Sequence, residues 1–114
     1  MDTNQNTDFY ITKIEDENQR EYNVFFVNKD APLTDEILQE MAKYEIVEFC
    51  NLFDQPIGIL PAGIQSLTFG FDFNQSVHYL PAGLQSLTLG YNFNRPIDYL
   101  PSGLQSLTFG NEFD

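Results

Sequence analysis

The residues equipped for chemistry are few and scattered. His78 is the sole histidine. It stands at a place filled by Gly58 and Asp98 in the neighbouring stretches, so it reads as a variable surface residue rather than a base held in a site. Cys50 is the sole cysteine. It has no nearby base to draw off its proton, and with no partner it forms no intrachain disulfide, which fits a reducing compartment. The acids Glu15, Asp16 and Glu17 fall in a polar stretch and read as a solvated loop. One set is ordered: Asp54, Asn74, Asn94 and Asp114 recur every twenty residues. Such a row of oxygens has two uses, metal ligation or turn building. Short polar side chains at turns bond their own and adjacent backbone by default, so the row is assigned to structure. No His/Cys spacing suits zinc, and no glycine-rich phosphate loop is present. The expectation is a non-enzyme without metal or cofactor.

The period of that row is what organises the chain. Leu60-Pro61, Leu80-Pro81 and Leu100-Pro101 each open a nearly identical unit, twenty residues apart. Leu87 and Leu89 are two apart and share one face of a strand, with Ser86 and Thr88 on the other. Gly90 ends the strand. The limb Pro96-Ile97-Asp98-Tyr99-Leu100-Pro101 carries two prolines and no helical period, so it is expected to run extended. Stacked coils place the strands in a parallel sheet about 4.8 Å apart, with ladders of Phe53, Phe73, Phe93 and Phe113, of Leu60, Leu80 and Leu100, and of Leu67, Leu87 and Leu107. No coil buries its own apolar edge; each depends on its neighbours. Sliding the sequence by twenty sets Val47 on Leu67, Phe49 on Phe69, Cys50 on Gly70 and Phe53 on Phe73. Four equivalent strands are therefore predicted, near 45–49, 65–69, 85–89 and 105–109.

The preceding stretch reads as a cover for this array. Residues 1–7 are nearly without apolar content and read as a tail. Asp8–Ile14 and Glu21–Val27 are rich in aromatic and β-branched residues around a polar link, a β-hairpin pattern. Both faces of the second run carry apolar residues, so one face is expected on the following helix and the other exposed or covered by a partner. That helix begins near Thr34, a suitable N-cap, with Asp35 and Glu36 in the first turn. Leu33, Ile37, Leu38, Met41 and Tyr44 then follow helical spacing. The division is a tail and hairpin/helix cap over 1–43 and a solenoid over 44–114.

At 114 residues with net charge −12, the chain suits one domain and would repel nucleic acid and anionic membrane. No apolar run approaches membrane-span length, and the start lacks a secretion-signal pattern. A cytoplasmic location is expected.

The spacing Leu-x-x-Leu-x-Leu resembles the strand signature of leucine-rich repeats. The fuller string of Phe93-Asn94-Arg95-Pro96-Ile97, Leu100-Pro101 and Gly103-Leu104-Gln105-Ser106-Leu107-Thr108-Phe109-Gly110 resembles the FNIP repeat, a leucine-rich-like unit. The resemblance covers about residues 53–114, with Asp54 in place of Asn and Ser76 in place of Pro. The family is known from slime moulds and giant DNA viruses of amoebae, so it implies a viral or amoebal protein, in the host cytoplasm if viral. It also implies a mainly β fold, a short right-handed parallel leucine-rich-repeat-like solenoid, and a protein-interaction role. Some members carry an F-box. Ala31–Met41 faintly resembles the start of one, which keeps a ubiquitin-ligase adaptor as an alternative, although only one helix fits before the strand at Tyr44.

Gln65, Ser66 and Thr68 recur as Gln85, Ser86, Thr88 and Gln105, Ser106, Thr108, a monotonous outer face. Ice-binding solenoids have similar hydroxyl arrays, a second alternative. Variation is confined to the flank, where Phe71, Tyr91 and the adjacent Asp72 and Asn92 are the expected protein-binding residues, aromatics being the usual hot spots. At the far end, Leu104, Leu107, Thr108, Phe109 and Phe113 belong to a coil without a cover in this sequence, on a strand with no charge to guard its edge. They are the expected contacts of a homodimer.

Overall fold

The computed structural model describes residues 8–110. Six strands form one sheet in chain order: β1 (Phe9–Glu15), β2 (Glu21–Val27), β3 (Ile46–Phe49), β4 (Ser66–Thr68), β5 (Ser86–Thr88) and β6 (Ser106–Thr108). β1 and β2 pair antiparallel, and every later pair is parallel. One helix, α1 (Asp35–Met41), crosses from β2 to β3. The fold is mainly β: a solenoid of roughly four turns behind an N-terminal hairpin and a short helix.

The hairpin turns on Asp16. Its carboxylate accepts from the backbone N–H of Asn18 and Arg20 and from the Arg20 guanidinium and Tyr22 hydroxyl. The Arg20 backbone donor foremost, joined by the Asn18 N–H and those two side chains, holds the carboxyl below its ordinary value against the opposing effect of burial. Gln19 takes φ 67° to close the turn. In α1 the Thr34 hydroxyl accepts from the Ile37 N–H at 3.2 Å, and Asp35 and Glu36 occupy the first turn, as the sequence predicts.

Period two in the strands and period twenty in the chain together build the core. Val47, Leu67, Leu87 and Leu107 stand in register, continuing from Phe25 of β2. Phe25, Val47, Leu67 and Leu87 are fully buried, with Ile37 and Met41 of α1 in the same core. At the turn, Phe53, Phe73 and Phe93 stack with ring centroids 6.2 Å apart at each step. Phe69 lies 3.9 Å from Phe73 and 4.8 Å from Phe49. Each coil supplies part of a continuous aromatic column that one coil alone would leave in water.

Main-chain contacts repeat with the same period. The N–H groups of Gln85 and Ser86 donate to the Gln65 carbonyl, and those of Gln105 and Ser106 to the Gln85 carbonyl. The Asx row does the work assigned to it: Asn94 N–H donates to Asn74 Oδ1 and Asn74 N–H to Asp54 Oδ1, both at 2.9 Å. The row continues into the cap, where Asp30 Oδ1 accepts from Asp54 N–H at 2.9 Å and from the Gln55 amide at 2.8 Å. These two bonds, the backbone one foremost, hold the Asp30 carboxyl below its ordinary value. Asp30 lies 24 residues before Asp54 rather than twenty, which hid it from a search at the repeat period.

Candidate functional site

Two exposed sides of the coil carry side chains suited to binding. The first follows the strand ends. Glycine is required there because successive coils approach closely: a Cβ on Gly90 would overlap the Gly70 carbonyl, and one on Gly70 would lie 2.7 Å from Asn51 Cα. Cys50 stands at the equivalent place one coil earlier, beside β2, whose Val27 carbonyl accepts from the Cys50 N–H.

Past the glycines the chain turns outward and is tied to its predecessor. Phe71 N–H donates to Asn51 Oδ1 at 3.0 Å, Asp72 N–H to the Asn51 carbonyl at 2.9 Å, and Asn92 N–H to the Phe71 carbonyl at 3.0 Å. This holds Phe71 and Tyr91, 48% and 37% exposed, as a parallel stack with centroids 4.8 Å apart and planes 10° apart. Asp72 and Asn92 beside them are half-buried. The predicted flank residues are thus brought together.

Opposite this pair, Tyr10 stacks on Phe26 at 4.9 Å. Phe26 shares the outer face and register row of Glu48 and Thr68. A shallow depression of about 410 Å³ opens between Phe26 and Phe71, over Thr68, Gly70 and Gly90, with Glu48 also lining it. Residue-by-residue reading missed Phe26 and Tyr10 as site members. Their signal was the second apolar face of the 21–27 run.

The second side is the return limb, where Ile59, Tyr79 and Tyr99 recur at the repeat period and are 76%, 67% and 72% exposed. A groove of about 470 Å³ runs over them and the adjoining Leu-Pro pairs. The sequence carried this row openly, but its extended, proline-rich context read only as a connection. His78 is exposed beside it, edge-on to Tyr79 at 6.2 Å. The limbs are not identical: Gly58 takes φ 59°, whereas His78 and Asp98 at the matching places do not take positive φ.

Of the residues expected at a self-contact, Leu104, Leu107 and Phe109 are partly buried and Thr108 is exposed. Among the described residues β6 pairs with β5 alone. Phe113, and Asp114 of the Asx row, lie outside the described residues, as does the 1–7 tail. No group of three His, Cys, Asp or Glu is placed to hold a metal among the described residues. No helix among them is long and apolar enough to cross a membrane.

Residues 73–112 match the family model of the FNIP Repeat. That span is similar to FNIP repeats. The matched span takes in two copies, and the coil geometry extends N-terminal to it through Phe53, β4 and β3. Tyr79, Tyr91 and Tyr99 lie inside the FNIP match, Phe71 just before it. No curated protein and no solved structure matches the chain.

Proposed function

We propose that this FNIP-repeat chain is a non-catalytic protein-interaction module whose partner docks on the flank of the sheet, anchored by Phe71 and Tyr91 and flanked by Asp72 and Asn92. The observation that supports it is the two aromatic stacks, Tyr10 on Phe26 and Phe71 on Tyr91, of which Phe26 and Phe71 line the depression over Gly70 and Gly90. Rigid aromatic surface lost to water on docking is the usual source of binding energy at an interface. The backbone bonds to Asn51 hold the anchors in place before a partner arrives, which lowers the ordering cost. The test is affinity capture from amoebal lysate with the wild-type chain and with Phe71→Ala/Tyr91→Ala, each truncation removing about 1–3 kcal/mol of binding. A partner recovered equally by both chains would sink the assignment of these anchors.

The same reading includes self-association through Leu104, Leu107, Thr108 and Phe109. It is supported by a neutral strand paired on one side among the described residues, with leucines half covered at positions that are fully buried one coil earlier. Light scattering at micromolar concentration is expected to show a dimer that Thr108→Pro abolishes; a monomer removes this part of the reading.

A further inference from the structure

We propose that the return-limb groove is a docking site for a proline-rich, basic segment of a partner protein, bound in the polyproline II conformation. This surface is separate from the Phe71–Tyr91 flank and does not depend on it.

Three observations select that occupant. First, the groove wall is a row of exposed rings and aliphatic ends, Ile59, Tyr79 and Tyr99, beside Pro81 and Pro101, with Pro61 where the groove continues onto α1. Those prolines have no N–H to offer, so the limbs are poor partners for an added β-strand. A polyproline II peptide makes no demand for main-chain pairing and docks by laying its ring faces on aromatic ridges. Second, the spacing matches. Coils repeat at 6.2 Å at the phenylalanine column and about 4.8 Å at the sheet, so the two steps from Ile59 to Tyr99 span roughly 10–12 Å. One polyproline II turn rises about 9 Å and four residues rise about 12 Å, so residues i and i+3 or i+4 of a peptide reach the first and third coils.

Third, the charge is one-sided. Asp35 lines the groove where it continues onto α1, and Asp98 precedes Tyr99. No lysine or arginine lines either part. The described lysines are engaged elsewhere, Lys13 with Glu21, Lys29 with Asp8 and Lys43 with Glu40, and Arg95 donates to the Asn74 carbonyl. With a net charge of −12 behind it, the groove favours a cationic peptide, whose arginine also packs on a tyrosine face.

The experiment titrates the full chain into a short labelled polyproline peptide with an arginine at each end and follows anisotropy. The chain has six tyrosines and no tryptophan, so tyrosine emission gives a second readout. Saturable binding below about 1 mM is expected, weakened about tenfold or more by Tyr79→Ala/Tyr99→Ala. Both side chains are mostly exposed, so circular dichroism of that variant should be unchanged. Phe71→Ala/Tyr91→Ala should bind the peptide as wild type does, which separates this site from the flank. Three results overturn the proposal: no binding up to about 1 mM; equal binding of a glycine-serine peptide with the same arginines, which would mean charge alone; or a dimer lost in Tyr79→Ala/Tyr99→Ala without peptide binding, which would make a second copy the occupant.

Discussion

Leu87 and Leu107 are the same residue in the same local sequence, Gln-Ser-Leu-Thr, yet Leu87 is fully buried and Leu107 only partly. Leu84 and Leu104 differ in the same way. β5 has a strand on both sides; β6 pairs with β5 alone among the described residues. At the opposite end, β3 has β2 beside it and α1 across the core, and its Val47 is as buried as Leu87. Burial in this array is therefore a property of neighbours. A repeat unit supplies half of each interface, and the hairpin and helix supply the missing half at one end.

The largest effect expected of a single change probes the closeness of that stacking. Gly90→Ala sets a methyl against the Gly70 backbone, which has no soft side chain to yield. It should cost about 3–5 kcal/mol and lower Tm by more than about 10 °C. Gly83→Ala, in the same coil, meets nothing nearer than the Ala62 carbonyl at 4.0 Å. It should be neutral or stabilising by about 0.5 kcal/mol through the unfolded chain. Equal melting curves for the two variants would refute the tight coil contact.

Next comes the comparison of leucines. In the dilute monomer, Leu87→Ala should cost about 3–4 kcal/mol and Leu107→Ala about 1–2 kcal/mol in urea unfolding. At concentrations where the dimer forms, the two costs should converge; a difference that does not change with concentration would mean that no second copy covers β6.

A smaller loss is expected from Asn74→Ala. It leaves the Asn94 N–H without its acceptor, at a cost of about 1–2 kcal/mol by the same denaturation.

The smallest effect sharpens the cap side. Asp30 has a carboxyl held below its usual 3.8 by the Asp54 N–H and the Gln55 amide. A lowered folded-state value means that its contribution is present above about pH 4 and is lost as pH falls through the lowered value. Asp30→Asn keeps the oxygen acceptor and removes the titration. Its Tm should fall less steeply than wild type between about pH 4 and pH 2. Parallel acid limbs for the two chains would show that the Asp30 junction does not respond to pH.

Much of the architecture was legible from residue identity alone. A repeat without insertions forces in-register stacking. Leucines two apart assign the strand face, and Thr34 with Asp35 and Glu36 starts the helix. Phe71 and Tyr91 were also legible, as the variable large residues of an otherwise uniform coil. These features are local or strictly periodic, and the chain writes them directly. Tertiary structure decided what depends on neighbours. It chose Asp30 as the first member of the Asx row, because the cap reaches that position by a path four residues longer than a coil. It joined Tyr10 and Phe26 to the Phe71 flank, because antiparallel pairing brings residues sixteen apart face to face. It left Ile59, Tyr79 and Tyr99 in solvent while burying Phe53, Phe73 and Phe93, although both rows share one period and similar apolarity. The repeat dictates that equivalent residues align; only the path of the coil dictates which side of it faces the core.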